Sequence, residues 1–279
     1  MKNYLSIILR HPRPVKFLLS RILMKLGISE RILIRYPEYS LRFYPTPQIA
    51  QMWIDAAYSR SEEKFIRDFV KNGDNVIDIG ANIGLITLLC ARITGPTGSV
   101  TAIEANPRIF SYLRGNVALN AFGHVTCFNY GVSNTSGSLL FTDNSWDEIN
   151  SVVQGKDQQG TITIPAERLD SIVPQIDSVS LLKIDVEGFE KFVLEGAEGI
   201  LRRTRCIYFE YNAGHYTKYG YALSDIYDLL RQGQFTLYRF VTTDSLTNLV
   251  REYSSEVTEN FIAVREPELL TSRTGYSIV

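Results

Sequence analysis

From residue 75 onward the chain alternates short apolar runs with helical patterns. Asn75 to Ile79 predicts a buried strand, and Ile83 to Ile93 a helix behind it. Ser99 to Glu104 repeats the strand pattern, and Pro107 to Asn120 the helical one, with Pro107 suited to a first turn. Val125 to Tyr130 reads as a third strand and Leu181 to Asp185 as a fourth, followed by a helix over Phe189 to Arg203. Cys206 to Glu210 makes a fifth, with a helix over Leu223 to Gln232. Phe235 to Phe240 and Phe261 to Arg265 have no helix between them and predict an antiparallel pair. Continuous apolar strands alternating with helices make a mostly parallel sheet covered on both faces, a doubly wound α/β domain.

Two stretches break this rhythm. Residues 131–179 lack a crossover helix; Ser138 to Thr142 and Thr161 to Pro165 read as extra strands around a polar loop of 18 residues, Asp143 to Gly160. Loops of that length inside a compact domain are usually functional or mobile. Nearer the N-terminus, Val15, Leu18, Leu19, Ile22, Leu23 and Leu26 fall on one helical stripe, and Ser61 to Val70 forms an amphipathic helix opened by Ser61, Glu62 and Glu63. The expected division is an N-terminal helical extension over 1–60 and one α/β domain over 61–279.

At 279 residues, 45% hydrophobic and 21% charged, the chain has the balance of a globular protein, which excludes general disorder. A net charge of −1 argues against a general nucleic-acid binder. The charge is unevenly placed: residues 1–36 carry eight basic side chains against Glu30 alone, a segment of +7 against −8 for the rest. For residues 1–60 the expectation is packing against the domain, since their Leu, Ile and Phe side chains would otherwise be exposed. A cover over an acceptor pocket and a peripheral contact with a membrane surface are the alternatives. Cys90, Cys127 and Cys206 are scattered, which argues against a disulfide framework or zinc site and fits a reducing cytosol. No apolar run near the N-terminus approaches the ~20 residues of a spanning helix, so a cytoplasmic location is expected. The sequence leaves the oligomeric state open.

The chemistry concentrates at Asp78-Ile79-Gly80-Ala81-Asn82-Ile83-Gly84, where the first strand turns into the first helix. Glycines there permit a sharp turn and a close ligand, and the helix N-terminus offers free N–H groups. The dinucleotide fingerprint fails at Asn82 and Leu85, and the Gly-Lys-Ser/Thr of a P-loop is missing. A carboxylate at Asp78 would repel a pyrophosphate but suits a ligand bearing an ammonium and a sulfonium, as S-adenosylmethionine does. Glu104 ends the second strand, where an acid can accept both ribose hydroxyls.

Taken together, residues 78–84, Glu104-Ala105-Asn106-Pro107, the Asn116 and Asn120 pair, and Lys183 to Glu190 with Leu194 to Ala197 resemble the FkbM-type methyltransferases. The resemblance runs from about Ser61 to Arg265. It implies a seven-stranded, Rossmann-like, S-adenosylmethionine-dependent fold acting mainly on hydroxyl oxygens of sugars, glycolipids or secondary metabolites. By the same resemblance Asp78, Gly80, Asn82 and Gly84 hold the methionine end, Glu104 and Asn106 meet the ribose, and the turn Gly131-Val132-Ser133 lies at the adenine.

Ligands of open α/β sheets lie beyond the carboxyl ends of the strands, the side on which Asp185, Glu187, Glu210, Asn212 and His215 emerge. Methyl transfer to a hydroxyl needs a positioned acceptor and a proton acceptor, a role that Asp185, Glu210 or His215 could fill. Glu187 and Glu190 open a helix, where acids are favoured by the dipole whatever their function, and rank lower. Asp185, Glu210 and Asn212 also offer oxygen ligands of the kind Mg²⁺ takes, but nothing in their spacing is diagnostic of a metal. The leading reading is an O-methyltransferase for a small-molecule or carbohydrate acceptor. A nucleic-acid methyltransferase lacks its Asn/Asp-Pro-Pro-aromatic turn, since Asp185-Val186-Glu187-Gly188 stands there. A cofactor-binding protein without turnover is the third reading.

Overall fold

The computed structural model describes residues 12–55, 60–143, 150–153 and 160–279. Helix α1 (Pro14–Lys25) leads to a hairpin of β1 (Leu33–Arg35) and β2 (Ser40–Arg42), then to α2 (Pro47–Ile54) and α3 (Arg60–Phe69). The alternating part begins with β3 (Asn75–Ile79), α4 (Leu85–Thr94), β4 (Ser99–Ile103), α5 (Pro107–Leu119) and β5 (Val125–Phe128). A side sheet follows, of β6 (Gly131–Val132), β7 (Gly137–Thr142) and β8 (Thr161–Glu167), with a single helical turn, α6 (Leu169–Ile172), after it. Next come β9 (Val179–Ile184), α7 (Glu190–Glu195), α8 (Glu198–Arg203), β10 (Thr204–Tyr211), α9 (Ala213–Lys218) and α10 (Leu223–Gln232). The chain closes with β11 (Thr236–Thr242), β12 (Ser245–Asn248), β13 (Glu259–Val264), α11 (Pro267–Thr274) and β14 (Ser277–Ile278).

The central sheet runs β14-β12-β11-β13-β10-β9-β3-β4-β5. Strands β5, β4, β3, β9 and β10 are parallel, and β13 lies antiparallel between β10 and β11. The expected seven strands are therefore a contiguous block, β11 to β5, but among the described residues the sheet has nine. Strands β12 and β14 extend the β11 edge; both are short, and only Leu246 among their residues is buried, so neither leaves an apolar run to read. The single helix expected over Phe189 to Arg203 is two, α7 and α8. A β-carbon on Gly196, between them, would lie 2.0 Å from the Ser133 carbonyl oxygen, so the chain bends where two backbones touch.

Side-chain alternation along the parallel strands divides the core. Ile77, Leu182 and Ile207 face one layer with Ile226 and Leu230 of α10; Val76, Leu181 and Cys206 face the other with Phe65 of α3 and Leu88 of α4. Leu41, Phe43, Ile49 and Met52 from the N-terminal segment are buried in that second layer. The Asn116 and Asn120 pair fastens the hairpin there. Asn116 accepts from the Arg42 N–H (2.8 Å) and donates to the Ile83 carbonyl (2.8 Å), and Asn120 bonds both backbone groups of Ser40 (2.7 Å each).

The packing expected of residues 1–60 holds for Leu41, Phe43, Ile49 and Met52 but fails for the stripe on helix α1. Val15, Leu18, Leu19, Ile22 and Leu26 are exposed, and only Leu23 of the predicted stripe is partly buried against the core. Most of the loop Asp143 to Gly160, and His11, lie outside the described residues.

Candidate active site

Strands β3, β4, β9 and β10 all end on one side of the sheet, and their C-terminal turns wall a cavity of about 330 Å³. The first turn is Gly80 to Gly84. Gly80 has φ +73°, and a β-carbon there would sit 1.8 Å from the Asp185 carbonyl oxygen, so only glycine lets the β3 and β9 turns pass. Asn82 is also left-handed, at φ 48°. Its N–H donates to Glu104 Oε2 (2.9 Å), while its side-chain Oδ1 is buried with no hydrogen-bond partner. Glu104, buried at the end of β4, takes the Asn106 N–H on its other oxygen (2.8 Å). Two backbone donors thus fix this carboxylate on the cavity wall. Asn106 Oδ1 accepts from the Arg108 and Ile109 N–H groups (2.9 and 3.2 Å), capping α5, and its amide donates to Asp143 (3.0 Å).

Beneath this turn lies a buried charge cluster. Parallel register sets Asp78 opposite Lys183, both nearly inaccessible, with 3.6 Å between Nζ and Oδ1. Thr87 of α4 donates to Asp78 Oδ2 (2.6 Å), and Lys183 also reaches Asp185 (3.2 Å) and the Gly80 carbonyl (3.4 Å). Burial alone would lower the Lys183 pKa, but Asp185, Asp78 and Glu62 outweigh it and hold the ammonium charged. Glu62, from α3, reaches the same cavity. Burial pushes its carboxyl up to about 7, with Lys183 pulling the other way and Asp185, Asp78 and Glu63 adding to the rise. One cation therefore faces three carboxyl groups.

The far end of the cavity is also acidic. Asp185, Glu187 and Glu210 line it, and one ligand atom each of Glu187, Glu210 and His215 falls within 4.8 Å of the others. Burial first, then Asp185, Glu187 and Glu190, raise the Glu210 pKa well above the carboxylate range. Glu187 is left-handed at φ 54°, a conformation that turns its carboxylate to 3.3 Å from His215 Nδ1. Burial and Lys218 lower the His215 pKa, against Asp185, so the ring is biased neutral. Glu190 holds the loop: it accepts from the Val186 N–H (3.1 Å) and the Gly188 N–H (3.4 Å), and burial raises its carboxyl to about 7.

The cavity gathers Gly80, Asn82, Glu104, Asn106, Val132, Asp185 and Glu210 from the sequence expectations. Asp78 is not on its wall; fully buried, it acts through Thr87, Lys183 and the turn above. Gly84 and Ser133 are off the wall too. Gly84 N-caps α4 with Leu113 against it, and the Ser133 N–H is spent on the Glu167 carbonyl (3.0 Å). His215 stands on helix α9, beside the cavity. Asn212 does not join the carboxylates, because Oδ1 caps α9 at the His215 N–H (3.1 Å) and its amide donates to Thr258 (2.8 Å).

Lys183, Glu187, Gln48 and Glu62 were missed or ranked low. Gln48 lies on the wall with its Oε1 buried and unpartnered. A lone lysine in a strand whose six residues are all buried was the readable signal for Lys183. Glu62 reads locally as one more acid in a helix first turn.

A family model described as the methyltransferase FkbM domain matches residues 78–237. Among curated relatives, the hexuronic acid methyltransferase AglP of Haloferax volcanii is 29% identical over 165 residues, 56% of this chain and 64% of its own. Methyltransferase 1 of Beauveria bassiana is 30% identical over 145 residues, covering 44% of this chain and 58% of that protein. The 2-O-methyltransferase NoeI of Sinorhizobium fredii is 26% identical over 173 residues, 56% and 70% of the two chains. The chain thus spans less than two thirds of the first two relatives.

Proposed function

The chain belongs to the FkbM methyltransferase domain family, and from that premise we propose that it transfers a methyl group from S-adenosylmethionine to a hydroxyl oxygen of a sugar or another small molecule. The carrying observation is one cavity that joins the Gly80 turn and Glu104 at one end to the raised carboxyl of Glu210 at the other. Its wall fits the cofactor. The excess of carboxyl groups around Lys183 suits an ammonium and a sulfonium, and the orphaned oxygens of Asn82 and Gln48 are acceptors waiting for a donor. When bound, the cofactor supplies a methyl carbon already activated by its sulfonium.

In this reading Glu62, Gln48 and Asn82 hold the ammonium, Glu104 takes the ribose hydroxyls, Asn106 borders the ribose, and Val132 lies against the base. Glu210 removes the acceptor proton, since a base is most effective when its pKa lies near the operating pH. Asp185, steered by Lys183, and His215, steered by Glu187, position the acceptor. Three carboxyl groups at that end favour a neutral hydroxylated acceptor and disfavour nucleic-acid phosphate. The name of NoeI, a 2-O-methyltransferase, supports oxygen as the atom methylated.

The test is release of S-adenosylhomocysteine from S-adenosylmethionine across a panel of hydroxylated sugars and small molecules, with RNA and DNA as controls. Acceptor-dependent release, slowed by about 10²–10⁴ in Glu210→Gln, is expected. Release with nucleic acid alone would overturn the reading.

A further inference from the structure

The geometry points to helix α1 as a docking surface for an anionic lipid membrane, an inference independent of the cavity chemistry. The helix is fixed to the body by Leu23 and Met24, partly buried against the core, and by polar contacts. Arg13 donates to the Ile54 carbonyl and pairs with Asp55 (3.6 Å), Lys16 donates to the Trp53 carbonyl (3.3 Å), and Ser20 is buried at the contact. A second apolar face is turned away from the core. Val15 is 70% exposed, Leu18 41%, Leu19 44%, Ile22 43% and Leu26 64%. At 3.6 residues per turn these five fall within an arc of about 100°, one continuous face rather than scattered exposure. An amphipathic helix in a soluble domain normally buries that face, so its outward direction calls for an apolar occupant.

Charge decides which occupant. Exposed Lys16 and Lys25 and half-buried Arg21 lie along the helix, and exposed Arg31 and Arg35 follow it, against Glu30 alone among the acidic residues of 12–36. Leucines and isoleucines on one face with basic residues on the rest form the pattern of a helix lying in the headgroup boundary of an anionic bilayer. A second copy of this chain would bring the same positive segment against itself across a symmetric interface, which disfavours that occupant. No helix among the described residues is long and apolar enough to cross a membrane; the exposed face of α1 suits an in-plane contact. The body end of this contact is α2, the helix that also carries Gln48 on the cavity wall. Docking through α1 would therefore hold the cavity one helix away from the lipid surface.

The experiment floats the full chain with vesicles of phosphatidylcholine and phosphatidylglycerol, and with vesicles of phosphatidylcholine alone. Binding to the anionic vesicles, weakened by salt and absent on the neutral ones, is expected. Leu19→Ser/Ile22→Ser should abolish it, and each basic residue removed, as in Arg21→Gln or Lys25→Gln, should lower partitioning by about fivefold. These side chains are exposed or half-buried, and an unchanged unfolding temperature shows that the fold is retained. Should the apolar double variant misfold, the lipid and salt dependence of the unaltered chain and of Lys25→Gln still decides the matter. Failure to float with anionic vesicles at low salt, or a dimer that dissociates in Leu19→Ser/Ile22→Ser, would overturn the inference.

Discussion

Replacing Lys183 by methionine probes the buried charge cluster on which the Gly80 turn rests. In the native chain Asp78 is 0% exposed and has two partners, the Thr87 hydroxyl at 2.6 Å and Lys183 at 3.6 Å. Lys183→Met keeps the volume and removes the only cation paired with Asp78 among the described residues. Breaking a buried pair from one side costs about 3–5 kcal/mol, because the remaining charge is left uncompensated. The destabilisation should therefore be about 3–5 kcal/mol. Urea unfolding of the native chain, Lys183→Met and Asp78→Asn/Lys183→Met is the assay. The double variant should recover part of the loss, since Asp78 is then no longer stranded while Asp185 and Glu62 still lack their cation. A penalty under about 1 kcal/mol in Lys183→Met, or no recovery in the double variant, would refute the role assigned to the pair.

Glu210→Gln should lower kcat by about 10²–10⁴ while leaving S-adenosylhomocysteine affinity nearly unchanged. The native kcat should rise through a pH above the usual carboxylate range, because burial and its acidic neighbours raise that group, and the variant should lose this limb. Glu62→Gln should weaken cofactor binding by about tenfold or more, as loss of a hydrogen bond to a charged group does. Native affinity should strengthen as pH climbs through about 7, where Glu62 gains its charge, and calorimetry across pH checks both. Methyl transfer should persist in excess EDTA; loss on chelation with recovery on added Mg²⁺ would assign Glu187, Glu210 and His215 to a metal instead.

What was legible in the chain followed from period and punctuation. Helix α10 spans Leu223–Gln232, as its pattern predicts, and β3 spans Asn75–Ile79, because an amphipathic stripe or an apolar run is a local property. The Gly80 turn and Glu104 were legible because their residue types are tied to the ends of strands. Contacts distant in sequence were not. The break at Gly196 answers to the Ser133 backbone, the bend at Glu187 to the packing of Gly188 on His215, and the cavity role of Gln48 to a hairpin fastened by Asn116 and Asn120. The stripe on α1 shows the limit most directly: periodicity announces an apolar face without saying what covers it.

The central claim, that this cavity takes S-adenosylmethionine, is tested most directly by calorimetric titration of S-adenosylhomocysteine into the full chain and into Gly80→Val. The account predicts saturable one-site binding to the native chain and none to the variant, whose side chain would meet the Asp185 carbonyl. No heat from S-adenosylhomocysteine alongside tight binding of NAD or ATP would contradict it.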